Sequence, residues 1–222
     1  MMRQETTDSG VGPSTVVGQT GQLGRFVAWI VRGWTDLQTA RDDWLWMRKS
    51  FTLTTTASDG VYSYSDCIDT VTLLAIARWA RWYKRSFKCY LQADGVGSEY
   101  PLIWMEWEDF RRTYRYGAQT DGPPVHVSQD PAQNLVLGPV PDDVYVVSGD
   151  YQRSPQILAV DADVPECPAR FHDLIVYEAM SKYGANRVAP DVLLRAAHEG
   201  GVLRNALERD QLPPMGFGEP LA

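Results

Sequence analysis

The feature that most limits how this chain can fold is a change in the spacing of its apolar residues. Between Gln22 and Thr39, the residues Leu23, Phe26, Val27, Ile30, Trp34 and Leu37 recur every three or four positions, which is one face of an amphipathic helix. From Trp44 to Thr56 the spacing drops to two. Trp44, Trp46, Arg48, Ser50 and Thr52 would share one face of a strand, with Leu45, Met47, Lys49, Phe51 and Leu53 on the other. Ser58-Asp59-Gly60 turns the chain into Val61–Tyr64, so the pair reads as a β-hairpin. Val71–Ala80 fits a short helix or a buried strand equally well. Ser86–Leu91 alternates like a strand, and Trp104–Tyr116 has helical spacing with Gly117 as its stop.

Beyond Gly122-Pro123-Pro124, strands are predicted at Val125–Ser128, Asn134–Leu137 and Val144–Tyr151, separated by Asp130-Pro131 and by the Pro-rich turn Gly138–Asp142. Asp163–Pro168 reads as an extended linker. A helix over about Ala169–Tyr183 would bury Phe171, Leu174, Ile175, Ala179 and Met180. A second runs from Pro190 to about Leu207, with Gly200-Gly201 expected to weaken its middle. This order lacks βαβ alternation. The expected class is α+β, with N-terminal and C-terminal helices packed as a helical bundle and a mainly antiparallel β-rich middle. In domain terms, a flexible N-terminal arm covers 1–21, the main domain covers 22–210 with a β-rich insertion at about 44–152, and an extended C-terminal tail covers 211–222.

Charge and cysteine usage narrow the function. With 21 basic and 28 acidic residues the net charge is −7, which argues against a general coat for nucleic-acid phosphate. The excess is uneven: residues 1–138 carry 14 basic and 15 acidic groups, residues 139–222 carry 7 and 13. An acidic C-terminal region could face a neighbour's basic run in a head-to-tail ring, or repel DNA; solubility alone would also account for it. Cys67, Cys89 and Cys167 form no CxxC pair or Cys/His cluster, so free thiols in a reducing cytosol are expected rather than disulfides or zinc. The polar N-terminus lacks the apolar run of a signal peptide. The longest apolar stretches are interrupted by Arg25 and Arg32, or by Arg78 and Arg81, and cannot span a bilayer.

Motifs for catalysis are absent: no GxSxG, HExxH, P-loop or GxGxxG occurs, and His126, His172 and His198 are far apart. Glu106, Glu108 and Asp109 in an aromatic setting have the composition of a glycosidase site, with Glu106 and Asp109 as the acid/base pair; a solvated helix face is the stronger reading. The indole pairs Trp44/Trp46 and Trp104/Trp107 could form a sugar-binding platform or serve as core and interface anchors. Arg78, Arg81, Lys84, Arg85 and Lys88, interleaved with Trp79, Trp82, Tyr83 and Phe87, could bind nucleic acid or meet a neighbouring subunit. Aromatics facing the core, with the basic groups left in water, is the preferred reading.

Three stretches together resemble the head-to-tail adaptor (connector) proteins of tailed bacteriophages. They are Leu37–Met47 after the opening helix, Leu135–Asp142 followed by Tyr145 and Gly149-Asp150-Tyr151, and Pro168–Val176 with Leu207–Pro213. The resemblance spans about residues 22–213. It implies a virion structural protein at the portal–tail junction, made in the host cytoplasm, without cofactor, enzymatic chemistry or membrane anchor. Its partners would be the portal protein, tail or nozzle proteins and itself in a dodecameric ring, with genomic DNA passing through the channel without sequence-specific binding. The C-terminal extension would reach the portal through Leu212, Met215, Phe217 and Leu221, and Arg78, Arg81, Lys84, Arg85 and Lys88 would face a subunit neighbour or DNA. The alternative function is a carbohydrate-binding module of a phage tail or secreted protein, built on the tryptophan platforms.

Overall fold

In the computed structural model, which describes residues 14–213, four α-helices form: α1 (Gly21–Thr39), α2 (Trp107–Tyr114), α3 (His172–Arg187) and α4 (Pro190–Gln211). Helices and antiparallel-rich sheets make the chain mixed α+β. It divides into two compact units. One is formed by the segments up to Met47 and from Pro155 onward, the other by Arg48–Ser154.

In the first unit, α1 forms where the apolar period is 3.6 and buries Phe26, Trp34 and Leu37. α3 buries Leu174, Ile175, Ala179 and Met180, and Phe171 is buried in the helical turn before it, so every predicted core position of that segment is inside. Pro190 opens α4, where its missing N–H would have had no helical partner. Glycines set how closely the helices approach. A Cβ on Gly33 would lie 3.0 Å from Glu178 Cβ, and one on Gly200 would lie 3.2 Å from Tyr177 Cβ. Gly200-Gly201 does not break α4, which continues to Gln211. The buried Gln38 clamps the returning chain: its Nε2 donates to the Gln156 carbonyl at 2.9 Å and its Oε1 accepts from the Gln156 N–H at 2.7 Å.

The predicted strand over Trp44–Met47 is a 3-10 turn instead (Leu45–Met47). Trp44 is fully buried, donates its indole N–H to the Leu37 carbonyl (3.1 Å) and stacks on Trp46 at 4.4 Å. The carbonyls at the end of a helix lack helical partners, so the indole is drawn back onto α1 before the strand can begin.

The second unit holds ten strands: β1 (Arg48–Thr54), β2 (Val61–Tyr62), β3 (Ile68–Asp69), β4 (Arg81–Trp82), β5 (Lys88–Leu91), β6 (Tyr100–Pro101), β7 (Ile103–Trp104), β8 (His126–Gln129), β9 (Leu135–Gly138) and β10 (Tyr145–Gln152). One sheet has the order β3-β1-β10-β5-β6, with β4 also on β10; the other has the order β2-β9-β8-β7. All pairings are antiparallel except β7 with β8. The rings of Phe51, Trp82, Phe87 and Tyr151 meet at 4.8 to 6.3 Å and fill the core.

Three expectations are corrected here. The predicted hairpin does not form, because β1 pairs with β10 and β3, while β2 leaves for β9 in the other sheet. The Ser58 turn is held by the Pro141 carbonyl, which accepts its N–H at 2.7 Å and draws it away from β1. Val71–Ala80 is neither helix nor strand but an ordered loop closed by the Ile68–Ala75 bridge. Trp104–Tyr116 splits into β7 and α2, so Trp104 and Trp107 do not share a helix face.

Candidate assembly surface

Residues singled out for acid/base chemistry are occupied otherwise. Glu106 precedes α2, and its Oε1 accepts from Lys84 Nζ (2.5 Å) and from the Trp104 indole N–H (3.2 Å). The Lys84 hydrogen bond holds its carboxyl below the usual range, the opposite of what a general acid needs. Asp109 faces Arg112 one turn along, at 3.4 Å, with both groups largely in water. His126 Nδ1 shares a hydrogen bond with the Tyr114 hydroxyl (2.7 Å), and His172 Nε2 one with the Cys167 carbonyl (3.1 Å). Among the described residues, no group of three or more His, Cys, Asp or Glu could hold a metal ion. All three cysteines are buried, which pushes Cys67 up to about 12 and Cys89 and Cys167 to about 11.

The tryptophans do not form a sugar platform of the expected kind. Trp44 is fully buried. One face of the Trp104 ring is taken by the Lys84 ammonium, 5.2 Å from its centroid.

The basic run of the second unit is spread over the end of a loop, a strand, a turn and another strand. Trp82 and Phe87 enter the core, whereas Arg81, Lys84, Arg85 and Lys88 are exposed and Arg78 is half-buried. Arg81 lies over the Tyr83 ring at 5.1 Å, Lys84 pairs with Glu106, and Lys88 with Glu99 at 3.0 Å. Arg85 and Lys88 line an open groove of about 450 Å³ on the outer face of the larger sheet, beside Ser50, Thr52, Ser148 and Asp150. Asp150 is held by Arg48 (2.5 Å) and by the Ser50 hydroxyl (2.7 Å). The turn that carries Arg85 is fixed from below: the Asp150 N–H donates to Ser86 Oγ, whose hydroxyl donates to the Tyr83 carbonyl.

Beside this run stands a feature that spacing did not reveal. Val71, Leu73 and Leu74 are 73%, 74% and 68% exposed, with Ile68 at 38%. The loop bearing them is rigidly anchored. Asp69 Oδ1 accepts from the N–H groups of Val71 and Thr72 (both 2.8 Å), and its Oδ2 accepts from the Tyr151 hydroxyl (2.8 Å). Its backbone donates to the Leu74 carbonyl and accepts from the Leu73 N–H, each at 2.9 Å. Burial alone would raise the Asp69 carboxyl, but these three donors hold it below its ordinary value. Leu73 adopts φ +57°, a left-handed conformation that leucine rarely takes. The sequence signal was present in the apolar stretch Val71–Ala80, whose spacing did not decide between helix and strand.

Of the residues expected to meet the portal, Leu212 is half-buried against the helical core, and its N–H donates to the Glu208 carbonyl at 3.0 Å. Met215, Phe217 and Leu221 lie outside the described residues. No described helix is long and apolar enough to cross a membrane.

The family model described as SU10 adaptor protein matches residues 10–212, spanning both units. No curated protein matches the chain.

Proposed function

We propose, on the premise that this chain belongs to the SU10 adaptor protein family, a family of phage head-to-tail adaptors, that it is a virion structural protein joining the portal to the tail. Copies form a ring below the portal whose inner wall is part of the DNA exit channel. The observation that carries this reading is the length of the match, from residue 10 to residue 212. Two features of the chain support it. Glu106 and Asp109, the carboxylates singled out for acid/base work, are taken up in surface ion pairs with Lys84 and Arg112. Three strongly exposed apolar side chains, Val71, Leu73 and Leu74, stand together on an anchored loop, as suits an assembly part that presents fixed surfaces.

Within the ring the helices form the packed bundle that carries the C-terminal segment. Leu212, Met215, Phe217 and Leu221 make the portal contact. Arg78, Arg81, Lys84, Arg85 and Lys88 face a neighbouring subunit or the passing DNA. The net charge of −7 suits a channel that lets DNA slide, because phosphate repulsion keeps the wall from gripping it. Electron microscopy of the full chain mixed with its cognate portal tests the assignment. A ring of density below the portal, lost when residues 214–222 are deleted, is the expected result; absence of the ring on any cognate portal overturns it.

A further inference from the structure

We propose that the anchored loop around Val71, Leu73 and Leu74 of one copy docks on the Ile157–Val164 segment of a second copy, making a head-to-tail subunit contact. This rests on the ring-forming reading above and names the surfaces that would join its subunits.

Two complementary patches occur on the same chain. The loop is apolar at its tip, and at its base Thr70 lines one groove with the basic Arg85 and Lys88, of which Lys88 is paired with Glu99. The other patch is the segment after Pro155, where Ile157, Val160 and Val164 are 68%, 51% and 66% exposed. Asp161 and Asp163 stand between them, and no Lys or Arg occurs from Ser154 to Ala169. Apolar-with-basic therefore meets apolar-with-acidic, a match in both hydrophobicity and sign. Because the patches differ, the contact is heterologous, the type that closes into rings or runs on into filaments.

Both patches are preorganised. Asp69 holds the loop through Val71, Thr72 and Tyr151. Asp163 Oδ2 accepts the N–H groups of Ala159 (2.6 Å) and Val160 (2.8 Å), and Asp161 Oδ1 accepts that of Val16 (2.6 Å). Ordering entropy is thus largely met in the free chain, so that little of it opposes docking. Leu73 in a left-handed conformation is what a loop tolerates when its side chain is needed at that place.

The test is sedimentation of the full chain at low ionic strength and high concentration. The wild type should self-associate. Leu73→Asn, which suits a left-handed φ while removing the apolar side chain, should weaken association by about tenfold or more, as should Val160→Asp on the opposite patch. A one-to-one mixture of the two variants should give dimers and nothing larger, since one retains the loop and the other the acidic strip. Added salt should weaken what remains. Association by Leu73→Asn equal to the wild type overturns this contact while leaving the ring reading intact. A wild type that stays monomeric at millimolar concentration overturns self-docking, and the portal microscopy then decides the ring separately.

Discussion

The two units solve the same problem, a buried backbone, with different chemistry. In the helical unit the backbone satisfies itself, so the core can be almost wholly apolar, and Gln38 is the one polar side chain buried there among the described residues. In the sheet unit many strands are only two residues long, joined by long irregular connections. Their N–H and carbonyl groups need side-chain partners. Thr55 and Asp69 are accordingly buried there, and Gln152 is inside as well. Thr55 Oγ1 accepts the Tyr145 N–H at 2.8 Å, and Gln152 Oε1 accepts the Tyr83 hydroxyl at 2.7 Å. The difference teaches where each unit is vulnerable: helices to changes of volume, the sheet unit also to loss of single polar atoms.

The strongest way to break this comparison is to empty each core in turn. Trp44→Ala and Phe51→Ala each remove a fully buried ring, and each should destabilise by about 3–5 kcal/mol. The buried clusters do not share residues: Trp44 belongs to one with Trp34 and Leu174, Phe51 to one with Trp82 and Tyr151. Amide exchange should therefore rise first in the unit that carries the substitution. Equal loss of protection in both units would show that the cores are not separate.

Next comes crowding. Gly33→Ala would place a methyl 3.0 Å from Glu178 Cβ and 3.3 Å from the Ala179 backbone nitrogen. Backbone cannot rotate aside, so the helix pair must separate, at a cost of about 1–3 kcal/mol. Urea unfolding measures it. A neutral result would mean that α1 and α3 have slack at their crossing.

Asp69→Asn should cost about 1–3 kcal/mol, since the Tyr151 hydroxyl and two backbone N–H groups lose their shared carboxylate. The pH dependence follows from its lowered value. Stability from this group is fully present above the unfolded carboxyl value of about 3.9 and is lost as pH falls through the lower folded value. Protection of the Val71 and Thr72 amides, measured against their intrinsic exchange rates, should thus hold at neutral pH and fall only in acid. In the variant it should be low at both. Amides deep in α1 and α3, whose core buries no carboxylate among the described residues, should respond less in the same range.

These differences also explain what the sequence disclosed. A helix writes its burial pattern within its own segment, so α1, α3 and the buried positions Leu174, Ile175, Ala179 and Met180 could be read directly. A strand's partner lies elsewhere in the chain. β8, β9 and β10 were legible, each to within two residues, because turn residues bracket them, but nothing local said that β1 would leave Val61–Tyr62 for β10. The Trp104–Tyr116 spacing misled because β7 and α2 abut, and Trp104 ends one while Trp107 starts the other. The anchored loop was hidden for a different reason: an apolar run reads as core, and only the Asp69 contacts reveal that it is held outward.

The smallest effect is the sharpest test of the helical side, because two adjacent glycines of α4 differ in one respect only. A Cβ at Gly201 meets nothing within 4 Å, whereas one at Gly200 lies 3.2 Å from Tyr177 Cβ. Both alanine variants gain the same helix propensity, about 1 kcal/mol. Gly201→Ala should keep nearly all of it and raise the melting temperature. Gly200→Ala must give part or all of it back as α3 and α4 are pushed apart, so it should be neutral or destabilising. If both variants stabilise equally, α3 can yield at Tyr177, and the volume-limited picture of the helical unit loses its support at that crossing.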